Sequence, residues 1–580
     1  MSTDVSPLTA AALVLAAVAT VAVGAYWGRL ARTTSDFLVA SRSVGPRWNA
    51  AAISGEYLSA ASFLGVAGLI AKYGADALWY PVGFTAGYLG LLMFVAAPLR
   101  RSGAYTVPDF AEFRLGGTSV RRAAMIVVVA ICIFYLIPQF QGAGLALNIL
   151  LGLPVWAGAV IVGVIVIVNV VGGGMRSITF VQAFQYWLKL TAVAVPALAL
   201  AATVLHDRPA VNQAVPPRVS QITTVAITTD VVVAVTDPAG VTVTGRLDGA
   251  PVVDHPLTHP GRYTLDQDST LRLAEGAATP VVAGTPTSGG AWLTPGGGFG
   301  ASGNRALYQV LSLILATFLG AMGLPHVLVR FYTNPDGRSA RRTALTVILL
   351  LSLFYLFPIL LGILARLYVP QLLITGSADA AVLLLPTAVV GGLWGSLLAA
   401  LVAAGAIAAF LSTSSGLLIS VAGALSTDVL RGRISDFRWA AVIGGVIPIV
   451  LAVASTSLEL SRMVGLVFAV AASTLCPLLV LGIWWRRLTA AGAISGLVVG
   501  GLTSGIAAVL AISGVPDSQA DGWSAVIIGY PAAVTVPLAF ATTILVSLAT
   551  SAGVPADVPR TFARMHVPER LGMGIERLPK

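Results

Sequence analysis

Charge is what this sequence has least of. Only 10% of its 580 residues are Asp, Glu, Lys or Arg, against 57% hydrophobic, a balance that no water-soluble domain of this size carries. Cysteine is nearly absent. Cys132 and Cys476 both fall in apolar runs, which excludes a disulfide framework and a thiolate metal site. There are five histidines, and no Ser-His-Asp, paired-carboxylate or His-rich constellation stands out, so the sequence points away from an enzyme. The net charge of +10 would suggest nucleic acid in a soluble protein. Here the basic residues lie at the ends of apolar runs, where orientation in a membrane explains them, and no nucleic-acid partner is expected. The first apolar run, Leu8 to Tyr26, has no basic segment before it and reads as a retained span, not a cleaved leader.

What the chain has in abundance is apolar length. Runs of roughly 20 residues, enough for a helix to cross the bilayer, recur from end to end. About 13 spans are expected, hence a polytopic α-helical membrane protein. Alternate loops hold most of the basic residues: Arg29, Arg32, Arg42 and Arg47; Arg100, Arg101, Arg114, Arg121 and Arg122; Arg176; Arg330, Arg338, Arg341 and Arg342; Arg431, Arg433 and Arg438; Arg486 and Arg487; and, in the tail, Arg560, Arg564, Arg570, Arg577 and Lys580. The positive-inside rule makes those loops cytoplasmic. It puts the N-terminus outside and the C-terminus inside a bacterial plasma membrane.

One loop differs from the others. Residues 205–305 are polar and fall on the outer side. Val225 to Thr244 is rich in β-branched residues that partly alternate with polar ones, and turn signals follow at Asp237-Pro238 and Asp248-Gly249. A small β-rich insert is expected. Thr285 to Asn304 is rich in Gly, Ser, Thr and Pro and reads as a flexible tether. The insert is expected to be passive, capture of substrate or a partner being the alternative.

The stretch that concentrates chemistry is Ile53 to Gly65, ISGEYLSAASFLG, inside the apolar segment Trp48 to Ile70. An acid in a span marks a pathway or a buried pair, and Glu56 is the one acid well inside a span. Gly55 and the hydroxyls of Ser54, Ser59 and Ser62 weaken the helix beside it. A helix broken at bilayer depth frees carbonyls for a cation and N–H groups for an anion. Glu56 is thus a candidate cation or proton site, or the partner of a polar neighbour. The run PQFQGAG at 138–144 brings two amides, Gln139 and Gln141, into an apolar span, and these mark a pocket or an inter-helix bond. Together with Ser59, Ser62 and Tyr135 they are the candidate substrate-binding residues, with Trp79 and Tyr80 as apolar walls. Lys189, one to two turns inside its span, reads as a lysine that snorkels to the interface. Arg330 reads as the cap of a cytoplasmic helix end, and it and His326 are secondary candidates for an anion. The run GGGMRS at 172–177 lacks the ending of a phosphate loop and reads as a tight turn between spans.

Several stretches together resemble the solute:sodium symporter family. They are SDFLVASRSVGPR at 35–47, SAASFLG at 59–65, APLRRSGAYTVPDF at 97–110, GGGMRS, GLPHVLVRFYT at 323–333, the Ser/Thr-rich ninth span and WWRRLTAAGA at 484–493. The likeness covers nearly everything but the insert and the tail. It is strongest to the cation/acetate symporters and, among these, to actinobacterial monocarboxylic acid transporters. The resemblance implies a LeuT-like fold of two inverted five-helix repeats whose first helices are broken at the midplane. Residues 1–47 would hold the first span and a cytoplasmic loop. Residues 48–204 and 306–484 would be the two repeats, 205–305 the insert, 485–549 two accessory spans and 550–580 a cytoplasmic tail.

The resemblance also implies a sodium site. The carbonyls of Gly55, Leu58 and Ala409 and the hydroxyls of Ser412 and Thr413 would surround the ion, with Ser414 and Ser415 packing beside it. Proline-transporting members carry an Asp two positions before Ser59, where this chain has Tyr57. The function implied is uptake of a short monocarboxylate such as acetate, propionate or pyruvate, coupled to Na+ or H+. No other cofactor and no obligate protein partner are expected. The alternatives are another solute, such as proline, on the same machinery, or a sensor built on a transporter scaffold.

Overall fold

The computed structural model describes residues 7–29, 40, 44–207, 217–227, 230–299, 301, 303–374, 378–430, 433–455, 460–513, 515 and 522–568. The start of the family-like stretch at 35–39 and 41–43, and the arginines and lysine at Arg32, Arg42, Arg431, Arg570, Arg577 and Lys580, lie outside the described residues.

The first repeat follows helix α1 (Pro7–Gly28). It comprises α2 (Pro46–Tyr57), a π-helical turn at Ala61–Gly65 leading into α3 (Val66–Tyr73), α4 (Trp79–Gly90), α5 (Ala96–Ser102), α6 (Val107–Leu115), α7 (Thr118–Leu151) and α8 (Val155–Asp207). Gly174 breaks α8 into two arms with φ 55° and ψ −158°, a conformation open to glycine alone at low cost. GGGMRS is therefore a turn, as its glycines suggest. After the insert and a short helix α9 (Gly289–Leu293), the second repeat comprises α10 (Asn304–Ala321), α11 (Pro325–Phe331), α12 (Gly337–Tyr368), α13 (Ala381–Val389), α14 (Gly392–Asp428), α15 (Ile434–Ala454), α16 (Leu460–Ser473) and α17 (Leu475–Trp484). Four helices follow among the described residues: α18 (Ala490–Ile512), α19 (Trp523–Gly529), α20 (Ala532–Ala549) and α21 (Val558–His566).

Eleven helical stretches among the described residues are long and apolar enough to cross a membrane. Two of these, Ala61–Ser102 with 42 residues and Val155–Leu205 with 51, are about twice the length that one crossing needs. Counted as pairs, they give the 13 crossings read from the sequence.

Both first helices are broken. α2 stops at Tyr57, and Leu58 takes φ −72° and ψ 82° before the π-turn begins. α10 stops at Ala321, Leu324 is extended, and Pro325 opens α11 at a position where its missing N–H costs nothing. Close packing holds the breaks in place. A Cβ on Gly55 would lie 2.2 Å from Gln182 O, and one on Gly323 would lie 2.4 Å from Ala471 O, so only glycine admits these backbone approaches.

The insert folds as a seven-stranded antiparallel sheet of β1 (Thr223–Ala226), β2 (Val231–Val235), β3 (Val241–Leu247), β4 (Ala250–Pro256), β5 (Gly261–Leu265), β6 (Thr270–Leu273) and β7 (Val281–Val282). Its order is β1-β6-β3-β5-β2-β7, with β4 paired to β3. Val231, Val233, Val235, Val241 and Val243 alternate inward onto Leu265, Leu271 and Leu273, the two-residue period of a half-buried strand. The β3–β4 turn has positive φ at both Asp248 and Gly249, as a two-residue hairpin of this twist demands. The following segment is not a free tether. α9 and residues 294–299 are docked on the transmembrane helices, with Trp292 buried.

Candidate functional site

Breaking α2 leaves carbonyls that a continuous helix would have used. Ser59 N turns to Tyr57 O at 2.8 Å, so Gly55 O is released from its helical partner. The group that meets it is an ammonium. Lys189 Nζ donates to Gly55 O, to Leu58 O at 2.7 Å and to Ser412 Oγ at 2.9 Å, which uses all three of its N–H donors. Ser412 Oγ in turn donates to Ala409 O at 3.1 Å. Thr413 Oγ1 donates to Glu56 O at 2.6 Å and so ties α14 to α2 beside the ammonium. The five residues named for a cation are thus brought together, and a lysine side chain fills the space between three of them. Lys189 is fully buried, which corrects the expectation that it reaches the interface. The physical reason is the break itself, because only freed carbonyls can replace the water of an ammonium at this depth.

Arg330 is corrected in the same way. It does not cap a helix end in water but is 1% exposed. Its guanidinium donates to Glu56 Oε2 at 2.7 Å, to Thr179 Oγ1 at 2.6 Å and to Gln182 Oε1. The Gln182 amide continues to Ser412 O at 2.8 Å. One ion pair therefore joins both broken helices, and its extension joins α8 and α14. Gly416 makes room for it, since a Cβ there would sit 1.8 Å from Glu56 Oε1. With Glu56 ionised and both Arg330 and Lys189 protonated, the buried cluster carries one positive charge in excess.

Beyond the break lies a group of polar atoms with few partners. Gln139 Oε1 accepts from Ala60 N at 3.4 Å, while its Nε2 has no hydrogen-bond partner among the described residues. The same holds for Ser59 Oγ and for both ring nitrogens of His326. His326 meets the edge of Tyr135 with ring centroids 5.4 Å apart. Tyr135 lies one turn before Gln139 on α7, with its hydroxyl close enough to Ser59 to pair with it. Buried polar atoms are almost always satisfied, so Ser59, Gln139 and His326 around Tyr135 form a place suited to a small polar ligand. Ser62 Oγ shares a 2.8 Å hydrogen bond with Tyr355. Gln141 departs from the expected pocket, because its Nε2 donates to Ser455 Oγ at 2.9 Å at the end of α15, an inter-helix bond. Tyr80 packs in an aromatic wall with Phe84, Phe468, Tyr57 and Tyr88, whereas Trp79 lies only half-buried at its margin.

The profile of the sodium:solute symporter family matches residues 37–248 and 286–500. The chain belongs to this family. The symporter is 32% identical to a monocarboxylic acid transporter of Corynebacterium glutamicum over 572 residues, covering 95% of this chain and 92% of that protein. It is 30% identical to an uncharacterized symporter, YwcA, of Bacillus subtilis over 590 residues, 98% and 99% of the two chains. A Na+-coupled sialic acid symporter solved in a substrate-bound, outward-open state shares the fold at TM-score 0.60 and 14% identity, with 93% of this chain and 98% of that chain covered. These relatives are transporters, and this symporter is a multi-pass membrane protein of the LeuT-like fold. Gln182, which did not stand out in the sequence, and Lys189, which read as an interfacial lysine, did leave one signal. Gln182, Gln185 and Lys189 recur at intervals of three and four, a polar stripe on one face of an otherwise apolar helix.

Proposed function

We propose that this symporter takes up a short monocarboxylate, of the size of acetate, propionate or pyruvate, together with a proton, and that Lys189 stands where sodium would otherwise bind. One observation carries the reading: the Lys189 ammonium occupies Gly55 O, Leu58 O and Ser412 Oγ, the oxygens that the family resemblance offers to an ion. A protonated lysine supplies the charge that a bound cation would, and on losing its proton it becomes a neutral amine that no longer balances those oxygens. Protonation of Lys189 therefore favours the closed break, and deprotonation frees it. The name of the Corynebacterium relative supports a carboxylate substrate, as does the positive charge that the Glu56–Arg330–Lys189 cluster would carry in excess with Lys189 protonated and Glu56 ionised. Such an anion brings the buried cluster to neutrality, and buried charge is tolerated only when compensated. Ser59, Gln139 and His326 are the side chains that would receive it, with N–H groups at the broken helix ends adding positive potential. Arg330 and Glu56 hold the two broken helices together on the side away from the insert. Positive-inside asymmetry supports a plasma-membrane orientation with the insert outside and the C-terminus inside.

The test is counterflow of labelled acetate, pyruvate and proline in proteoliposomes, with and without sodium and with an imposed proton gradient. Exchange of a monocarboxylate but not proline, driven by the proton gradient in sodium-free buffer, is expected. Strict dependence on sodium would return the site to the ion that the resemblance implies. Exchange of proline alone would overturn the substrate class.

A further inference from the structure

We infer that the segment 286–299 is a lid over the entry route from the insert's side, and that Asp76, Trp292 and Arg366 are positioning residues that seat it. The inference does not depend on which ion drives transport.

Sequence alone makes 285–304 look like a tether, but the contacts are those of a seated plug. Asp76 is 3% exposed, and both its oxygens are taken by the segment: Oδ1 accepts from Gly296 N at 2.8 Å and Oδ2 from Gly298 N at 2.9 Å. The Trp292 indole donates to Ile70 O at 2.8 Å, a carbonyl in the last turn of α3 that also accepts from the cap Gly74 N. Arg366, at the end of α12, donates to Ala71 O at 2.9 Å and Pro286 O at 3.2 Å, and its guanidinium lies 5.1 Å from the Trp292 ring. Gly74 has φ 61°, and a Cβ there would lie 1.9 Å from Trp292 O. The backbone after α3 is thus shaped to receive this tryptophan.

What lies beneath the segment says what it covers. The Phe299 ring meets Tyr73 at 5.3 Å, Tyr80 at 5.7 Å and Tyr530 at 5.9 Å. Tyr80 meets Phe84 at 6.0 Å, Phe84 meets Tyr355 at 6.4 Å, and Tyr355 holds Ser62 just past the break. An unbroken aromatic column therefore runs from the lid to the candidate substrate pocket. The seat is built from hydrogen bonds, a cation–π contact, the buried Trp292 and a few rings, edge-on at Tyr73 and Tyr80 and stacked at Tyr530. Such contacts suit a surface that opens and closes in each cycle.

Two measurements on the full chain test this. In the first, Phe84→Cys reports access from the insert's side by its rate of maleimide labelling. The native Cys132 and Cys476 are buried, and the parent without Phe84→Cys gives their background. Adding Asp76→Asn puts an amide donor against a lid N–H, and labelling should accelerate at least about tenfold if lid opening limits access. In the second, Asp76→Cys and Gly297→Cys are bridged by a short bis-thiosulfonate. A Cβ on Gly297 would lie 3.4 Å from Asp76 Oδ2, so the pair is within reach. Bridging should stop uptake of labelled acetate, and reduction should restore it in the same sample, a reversal that misfolding would not give. Unchanged labelling in the Asp76→Asn variant, or undiminished uptake by the bridged protein, overturns the lid. The labelling arm needs no substrate, so it reads the lid even if the proposed substrate class fails.

Discussion

Replacing Lys189 with Met keeps the length of the side chain and removes its charge and its three donors. Gly55 O, Leu58 O and Ser412 Oγ are then left facing a thioether. A buried acceptor stripped of its partner costs about 1–3 kcal/mol; Ser412 Oγ keeps its bond to Ala409 O, so the two carbonyls together destabilise the closed break by roughly 2–6 kcal/mol. The functional effect is larger than a loss of affinity. If one proton rides on Lys189 with each carboxylate, a gradient of about one pH unit is worth about 1.4 kcal/mol, a tenfold accumulation. The assay is the initial rate at which labelled acetate accumulates in proteoliposomes clamped at zero membrane potential, with protein-free liposomes setting the baseline for diffusion of the free acid. The Met variant should fall to that baseline. Lys189→Ala adds a second reading. It opens the space among the same oxygens, which are hard ligands suited to sodium, and so sodium should stimulate exchange in the Ala variant and not in the wild type. Gradient-driven accumulation by the Met variant at the wild-type level, or sodium-dependent wild-type uptake that Lys189→Ala leaves untouched, refutes the reasoning.

Three further outcomes follow from the geometry. Glu56→Gln or Arg330→Gln alone leaves one buried charge without its partner and should lower stability by about 3–5 kcal/mol, with the double variant milder than either; thermal unfolding in detergent reads this directly. Asp336 caps α12, its carboxylate accepting from Ser339 N at 2.6 Å. Burial pushes its pKa up, but the Ser339 hydrogen bonds and the nearby Arg100 prevail and hold it below the ordinary carboxylate value. The cap is therefore intact above the usual carboxylate range and lost as pH falls through the depressed value. Asp336→Ala should cost about 1 kcal/mol at neutral pH, and the gap from wild type should close in acid. Deleting residues 217–283 while retaining the lid should leave uptake intact, because the buried core of the sheet draws on the rest of the chain only through Ile374; an epitope inserted after Gly249 should be reached from outside intact cells and a C-terminal fusion only from within.

How far the sequence could be read depended on whether a feature is local. Crossing helices are local, since an apolar run needs no partner to be recognised. The strands were visible because Val231–Val235 is rich in β-branched residues and Val241–Thr244 alternates. The break in α2 was visible because Gly55, Glu56 and the serines conflict with an apolar span. What escaped reading was which charges meet. Arg330 stands 274 residues from Glu56 and Lys189 134 from Gly55, and nothing along the chain orders those distances. The lone charges were therefore assigned to water, the cheapest place for a charge considered by itself. The lid was missed for a similar reason. Its Gly and Pro content fits a tether equally well, and only the Asp76 carboxylate and the groove left by Gly74, both supplied by the transmembrane helices, give it a fixed seat.

The arrangement around Lys189 has a consequence for where such a transporter can work. An ion drawn from the medium has a dissociation constant, and a carrier that needs one is idle wherever the medium falls below it. A cation carried on a side chain has no such threshold, since its four-carbon stem holds its local concentration at the oxygens fixed whatever the solution contains. On the reading proposed above, salinity then drops out of the conditions for uptake and acidity takes its place. The same protein would serve a cell in fresh water and in brine alike.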